Sequence, residues 1–138
     1  MIKNCSFKLS HYQECLQSAL KMGYIFLTFE DYLQRKNKLP KGQKITLLRH
    51  DIDHKLSLAK NLAAIEGGLK IRATYFIRLH GDYNPYNFSG YAIIKDLTAM
   101  NHELGLHHDA GFARLFSENA ASFFKRDKEI FENIINKK

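Results

Sequence analysis

The sequence predicts an α/β fold with parallel strands, and three observations lead there. From residue 45 onward, short β-rich runs alternate with stretches of helical period, in the order strand, helix, strand, helix, strand, helix. Such alternation favours parallel strands joined by right-handed crossovers. All three of these strands run into segments that contain histidine: RHDIDH at 49–54, His80 with Gly81 and Asp82, and HHD at 107–109. In parallel α/β architecture, sites collect beyond the carboxyl ends of strands. Finally, 138 residues with 45% hydrophobic content, including ten Phe and seven Tyr, suffice for one core and argue against wholesale disorder.

The elements follow in chain order. Ser10 is expected to cap a first helix, with Gln13 completing a capping box, Tyr12, Leu16, Ala19 and Leu20 forming its apolar face, and Gly23 stopping it. Tyr24 to Leu27 reads as a short strand, and Thr28 caps a second helix reaching about Arg35. Residues 36–44, with Pro40 and Gly42, form a polar loop. ITLLRHDID is the first core strand. A helix from about Leu56 to Glu66 follows and ends at Gly67 and Gly68. Ile71 to Leu79 is the second core strand, Tyr91 to Met100 a helix, and Glu103 to His107 the third core strand. A long helix begins at Ser117 and carries Phe123, Phe124, Ile130, Phe131 and Ile134. One domain over 1–138 is expected, with an αβα extension at 1–44 and a motif-bearing core at 45–138.

Charge and cysteine content narrow the class. The formal net charge is +7, but the lysines are scattered and no run of five basic residues occurs, so a solvated surface is expected rather than a nucleic-acid partner. Cys5 and Cys15 form no CxxC and support no thiolate zinc site; free, partly buried thiols are expected. No apolar run approaches the roughly 20 residues of a membrane span, and the N-terminal segment has no signal-peptide pattern. A soluble, cytoplasmic protein is therefore expected.

The chemistry gathers at the strand ends, where five of the seven histidines are expected on one rim: His50, His54, His80, His107 and His108. Side chains alternate along a strand, so Asp51 and Asp53 point to one side and His50, Ile52 and His54 to the other. Two carboxylates about 6–7 Å apart along a strand repel unless a divalent cation or Arg49 intervenes. One can bind the metal while the other takes a proton from attacking water; the competing reading is capping, or ion pairing with Arg49 or Lys55. His107 ends ELGLH and is placed as a ligand for a borderline ion such as zinc. Asp109 is either a partner that fixes an imidazole tautomer or a helix cap. His102, at the opposite strand end, is expected to be structural, and His11 to lie on the surface.

Three passages resemble the polysaccharide deacetylase superfamily, the NodB-type carbohydrate esterases. LLRHDIDH is similar to the family's strand ending in two acids, GLKIRATYFIR to its second strand, and NHELGLHHD to its Gly-His-Glu-Ile-Gly-x-His motif. Order and spacing agree, with about 50 residues between the acidic pair and the histidine motif, and the likeness spans Ile45 to Asp109. It implies a distorted β/α barrel with one divalent metal, zinc by preference, that hydrolyses acetyl groups on carbohydrate. Carried over by position, Asp51 is the general base, and Asp53 and His107 are metal ligands. The metal polarises the acetyl carbonyl and lowers the pKa of its water toward ~7, and Asp51 accepts the water's proton.

The pattern departs from the family's in three places. Ile52 separates the two acids, which are adjacent in the usual motif. Position 111, where a second histidine is usual, is Gly, so a third ligand must come from His108, His54, Asp109 or elsewhere. The later motifs, with their arginine and general-acid histidine, have no counterpart. About seven or eight strands of a closed barrel do not fit this length, so an incomplete barrel is expected, either an N-terminal portion whose C-terminal half is missing or a half-barrel whose open edges favour self-association. Tyr83 and Tyr86, in the aromatic loop after the second core strand, are candidate sugar-stacking residues or rim packing. Two alternatives remain at this level: a catalytically incomplete binding or assembly module, and a metal-dependent phosphoesterase.

Overall fold

The computed structural model describes residues 8–116 and 118–135. Cys5, and the expected helix start at Ser117, lie outside them. Helix α1 spans Leu9–Lys21, strand β1 Tyr24–Leu27, and helix α2 Phe29–Arg35, which a single 3₁₀ turn at Lys36–Lys38 extends. Strands β2 (Lys44–Leu47) and β3 (Arg49–Ile52) precede α3 (Leu56–Gly68). Then come β4 (Thr74–Arg78), α4 (Phe88–Ala99), β5 (Glu103–His107), α5 (Ala110–Leu115) and α6 (Ala120–Ile135). No helix among the described residues is long and apolar enough to cross a membrane.

The class is mixed α/β, and every strand pairing is parallel. The run expected as one strand, ITLLRHDID, is two. Residues Lys44–Leu47 pair with β1, whereas Arg49–Ile52 pair with β4 on the other side, and the order in the second sheet is β3-β4-β5. Leu48 is the pivot: its carbonyl already accepts from the Thr74 amide. The strand from the 1–44 segment therefore adds to the run that opens the motif-bearing core. The described strands close no barrel.

Register sorts the chemistry onto two faces. His50, Tyr75 and Leu104 stand in one row across the sheet and Ile52, Ile77 and Leu106 in another. This face is buried under α3, α4 and α6 through Ala59, Ala63, Ile94, Leu97, Phe131 and Ile134. The opposite face carries Arg49, Asp51, Phe76, Gly105, Arg78 and His107. Gly105 is required there, because a Cβ would stand 2.6 Å from the Phe76 ring. Phe76 is itself pinned, edge-on to Phe29 and under the Arg49 guanidinium.

Several local expectations change. The first helix starts one residue before Ser10, at Leu9, and its N-cap Lys8 makes no side-chain capping bond, so the expected Ser10–Gln13 box is absent. Thr28 does form a capping box: its hydroxyl accepts from the Asp31 amide, and the Asp31 carboxylate accepts from Thr28. Gly67 and Gly68 sit inside the last turn of α3, and the left-handed step falls on Lys70 (φ 58°). Asn87 caps α4 and Asn119 caps α6. The short helix α5 is capped by Asp109, one of the two roles expected of that residue. Cys15 is exposed rather than partly buried.

Candidate functional site

Asp53 and His107 come together. Asp53 follows the last residue of β3, and His107 is the last residue of β5, on the same face of the sheet. Asp53 Oδ1 and His107 Nδ1 are 3.0 Å apart. Both atoms are buried, and neither has a hydrogen-bond partner among the described residues. They face one another without the alignment of a hydrogen bond. His54, Arg78, His108 and Asp109 complete an open cleft of about 300 Å³ around them.

The cleft walls are built by the loops that follow the strands. Tyr83 locks the loop after β4 to two strand ends: its hydroxyl donates to the Ile52 carbonyl at 2.7 Å and accepts from the Arg78 amide at 2.9 Å. Burial pushes the Tyr83 phenol up to about 12. Gly81 lets this loop run close to Asp53, since a Cβ would meet the Asp53 carbonyl at 3.0 Å. Arg78 is bound to Asp109 through Nε at 3.1 Å and through Nη2. That guanidinium holds the Asp109 carboxyl below the usual carboxylate range. Asp109 Oδ1 also accepts from the Phe112 amide, so the residue serves as helix cap and ion-pair partner at once.

The other expected site residues are placed as follows. Asp51 shares the face of Asp53, as strand alternation requires, but it accepts from Arg49 Nε at 2.7 Å and does not line the Asp53–His107 cleft. His108 lines the cleft and turns Nδ1 toward Asp127 Oδ2, 3.5 Å away. Tyr83 is occupied inside the protein, whereas Tyr86 is 57% exposed and bonds the Ile130 carbonyl at 3.4 Å. His54 pairs with Asp82 at 2.9 Å in solvent. His80 Nε2 lies 3.0 Å from Asp127 Oδ1.

His50 is not on the rim. It faces α3 and lies 2.7 Å from Glu66 Oε1. Glu66 is fully buried and also accepts from Tyr12 Oη at 2.5 Å and Tyr75 Oη at 2.8 Å. Burial, reinforced by Glu66, raises both phenols above the ordinary tyrosine range. His102 stands beside this cluster, accepts from the Ala73 amide at 3.2 Å, and is lowered chiefly by burial. It is structural, as its place before β5 suggested. Glu66, Asp127, Tyr12 and Tyr75 escaped the sequence reading because an acid or phenol inside a helical or strand pattern reads as solvated surface or core. Their only signal is an acid on the apolar side of a helix, as Glu66 is beside Leu62, Ala63 and Ile65.

Donor chemistry decides whether a divalent ion suits these residues. A carboxylate oxygen and an imidazole nitrogen, both buried and both left without a partner, suit a borderline divalent cation. Among the described residues, no three His, Cys, Asp or Glu side chains converge as a cation site. Asp53 and His107 are thus two donors of a set that is not complete. The chain matches no known family profile, no curated protein and no solved structure.

Proposed function

We propose that this protein is a metal-dependent hydrolase of the polysaccharide deacetylase type, removing acetyl groups from carbohydrate, with zinc as the preferred ion. One observation carries the reading: two orphaned donor atoms, Asp53 Oδ1 and His107 Nδ1, stand 3.0 Å apart beyond the ends of parallel strands. The resemblance of LLRHDIDH, GLKIRATYFIR and NHELGLHHD to the family's passages supports it. A bound divalent ion would polarise an acyl carbonyl and acidify a water.

In this reading Asp53 and His107 hold the ion. Arg78 and Asp109 shape the wall beside it, and the doubly bonded Tyr83 keeps the loop after β4 from drifting away. Asp51 is the candidate general base by position. The geometry supports the ion pair of donors more directly than this base, because Arg49 engages Asp51 outside the cleft. Tyr86, exposed beside the rim, is the better placed of the two tyrosines to meet a sugar ring.

The lack of a third converging donor among the described residues favours a second reading, a module that binds a cation without turnover. Metal analysis of the purified protein, compared with Asp53→Ala and His107→Ala, tests the site. About one equivalent of zinc in the wild type, lost in both variants, is the expected result. Equal metal content in all three rejects the ligand assignment. Acetate release from acetylated sugars then separates the enzyme from the module.

A further inference from the structure

A cation stands in the middle of the candidate site, and neither the donor pair nor the candidate base gives it a chemical task. Strand β4 lies between β3 and β5, and the register sets Ile52 beside Ile77 and Arg78 beside His107. Asp53 follows Ile52, so Asp53, Arg78 and His107 stand in one row across three strand ends. Asp53 Oδ1 and His107 Nδ1 thus approach to 3.0 Å across the strand that carries Arg78. The arginine lines the same open cleft. Its guanidinium is fixed but keeps spare donors. Nε and Nη2 donate to Asp109 Oδ2, and Nη1 donates no hydrogen bond among the described residues. The side chain stays 30% exposed. Its backbone is held too, because the Arg78 amide donates to the Tyr83 hydroxyl that also holds the Ile52 carbonyl.

We infer that Arg78 is the oxyanion donor of this cleft, offering Nη1 to the acyl oxygen on which negative charge develops. The inference rests on the hydrolase reading of the site. An arginine presents its N–H groups in a rigid fork, accepts nothing and stays charged at any working pH. A charged donor already held in place costs no reorganisation at the moment of reaction. Asp109 offsets the charge, so the guanidinium does not stand bare beside a cation at Asp53 and His107. In the step itself, water adds to the acetyl carbon and the carbonyl π pair moves onto oxygen, where Arg78 donates to it. The bond from that carbon to the sugar oxygen or nitrogen then breaks, and its pair leaves with the sugar atom. Of the water's two protons, one ends on the sugar atom and the other on the acetic acid released. Arg78 keeps its own proton throughout.

The test follows acetate release from glucose pentaacetate by the purified protein. Arg78→Ala is expected to lower kcat by about 10²–10³-fold, the loss on removing one oxyanion donor, with KM and metal content as in the wild type. Arg78→Lys keeps the charge but not the fork, and its kcat should fall between the two. Free guanidinium ion, below denaturing concentration, should restore part of the kcat of Arg78→Ala and add nothing to the wild type. Arginine side-chain ¹⁵N NMR of the wild type with methylphosphonate, whose tetrahedral oxygens stand in for the oxyanion, should shift Arg78; this measurement decides the matter even where Arg78→Ala fails to fold. A loss confined to KM, or Arg78 resonances unmoved by methylphosphonate, would overturn the inference. Acetate release that Arg78→Ala retains in full rejects the inference alone. A wild type that releases no acetate from acetylated sugars rejects the hydrolase reading and the inference together.

Discussion

At the scale of single residues, the chain concentrates cost and specificity in its buried carboxylates. Glu66 is fully enclosed, and an ion in that setting survives only if its lone pairs are used. Tyr12, His50 and Tyr75 use them, which binds α1, β3 and β4 to one atom group on α3. Tyr75→Phe removes one donor to that carboxylate while leaving the ring packed. The expected loss is about 1.5–3 kcal/mol, the range for hydrogen bonds to charged groups, read as a lower urea midpoint with an unchanged slope. A loss below a few tenths would mean that the hydroxyl contributes nothing net. The candidate metal-side residues behave in the opposite sense: Asp53 Oδ1 and His107 Nδ1 face one another at 3.0 Å, yet neither makes a hydrogen bond among the described residues.

Among the elements, the loop between β4 and α4 decides the shape of the cleft. It crosses the start of α4 so closely that a Cβ on Gly90 would collide with the Asn84 carbonyl and stand 3.0 Å from Pro85 Cα. Backbone cannot yield as a long side chain can. Gly90→Ala is therefore expected to displace the loop, strain the two bonds of the Tyr83 hydroxyl, and cost about 1–3 kcal/mol, the range for overpacking. Circular dichroism during urea unfolding measures it; wild-type stability would show that the loop is not held against α4 in solution. Glu103–His107 was legible to the residue, because Leu104 and Leu106 alternate with Glu103, Gly105 and His107. The split of ITLLRHDID at Leu48 was not, because a strand's own pattern does not say which partner pairs with which half.

For the whole molecule, stability should depend on pH through His102. Burial lowers its pKa from the ordinary 6.5; the Glu66 charge opposes that, and His50 and Arg72 reinforce it. The folded protein thus binds this proton less readily than the unfolded chain. The stabilisation is complete above pH 6.5 and is lost as pH falls from there toward the folded-state pKa. A urea midpoint that drops on acidification from pH 7, with a shallower slope in His102→Gln, is the expected result. An NMR titration midpoint for His102 at or above 6.5 would contradict it.

The sequence by itself determined the α/β class, the parallel strands and the order of elements apart from the break at Leu48 and the short helix α5. These depend on periodicity, caps and glycine steps, which are local. It also placed Asp53 and His107 beyond strand ends on one edge of the sheet, since parallel strands bring their carboxyl ends to the same side. Only the tertiary structure decided that His50 turns inward to Glu66, that Arg49 engages Asp51, that Tyr83 spends its hydroxyl on the backbone, and that Asp127 reaches His80 and His108 from α6. Apart from Arg49–Asp51, two positions apart, and Tyr83–Arg78, five apart, those contacts join residues 16 to 47 positions apart, where partner choice follows from how helices pack on the sheet and leaves no trace in local spacing.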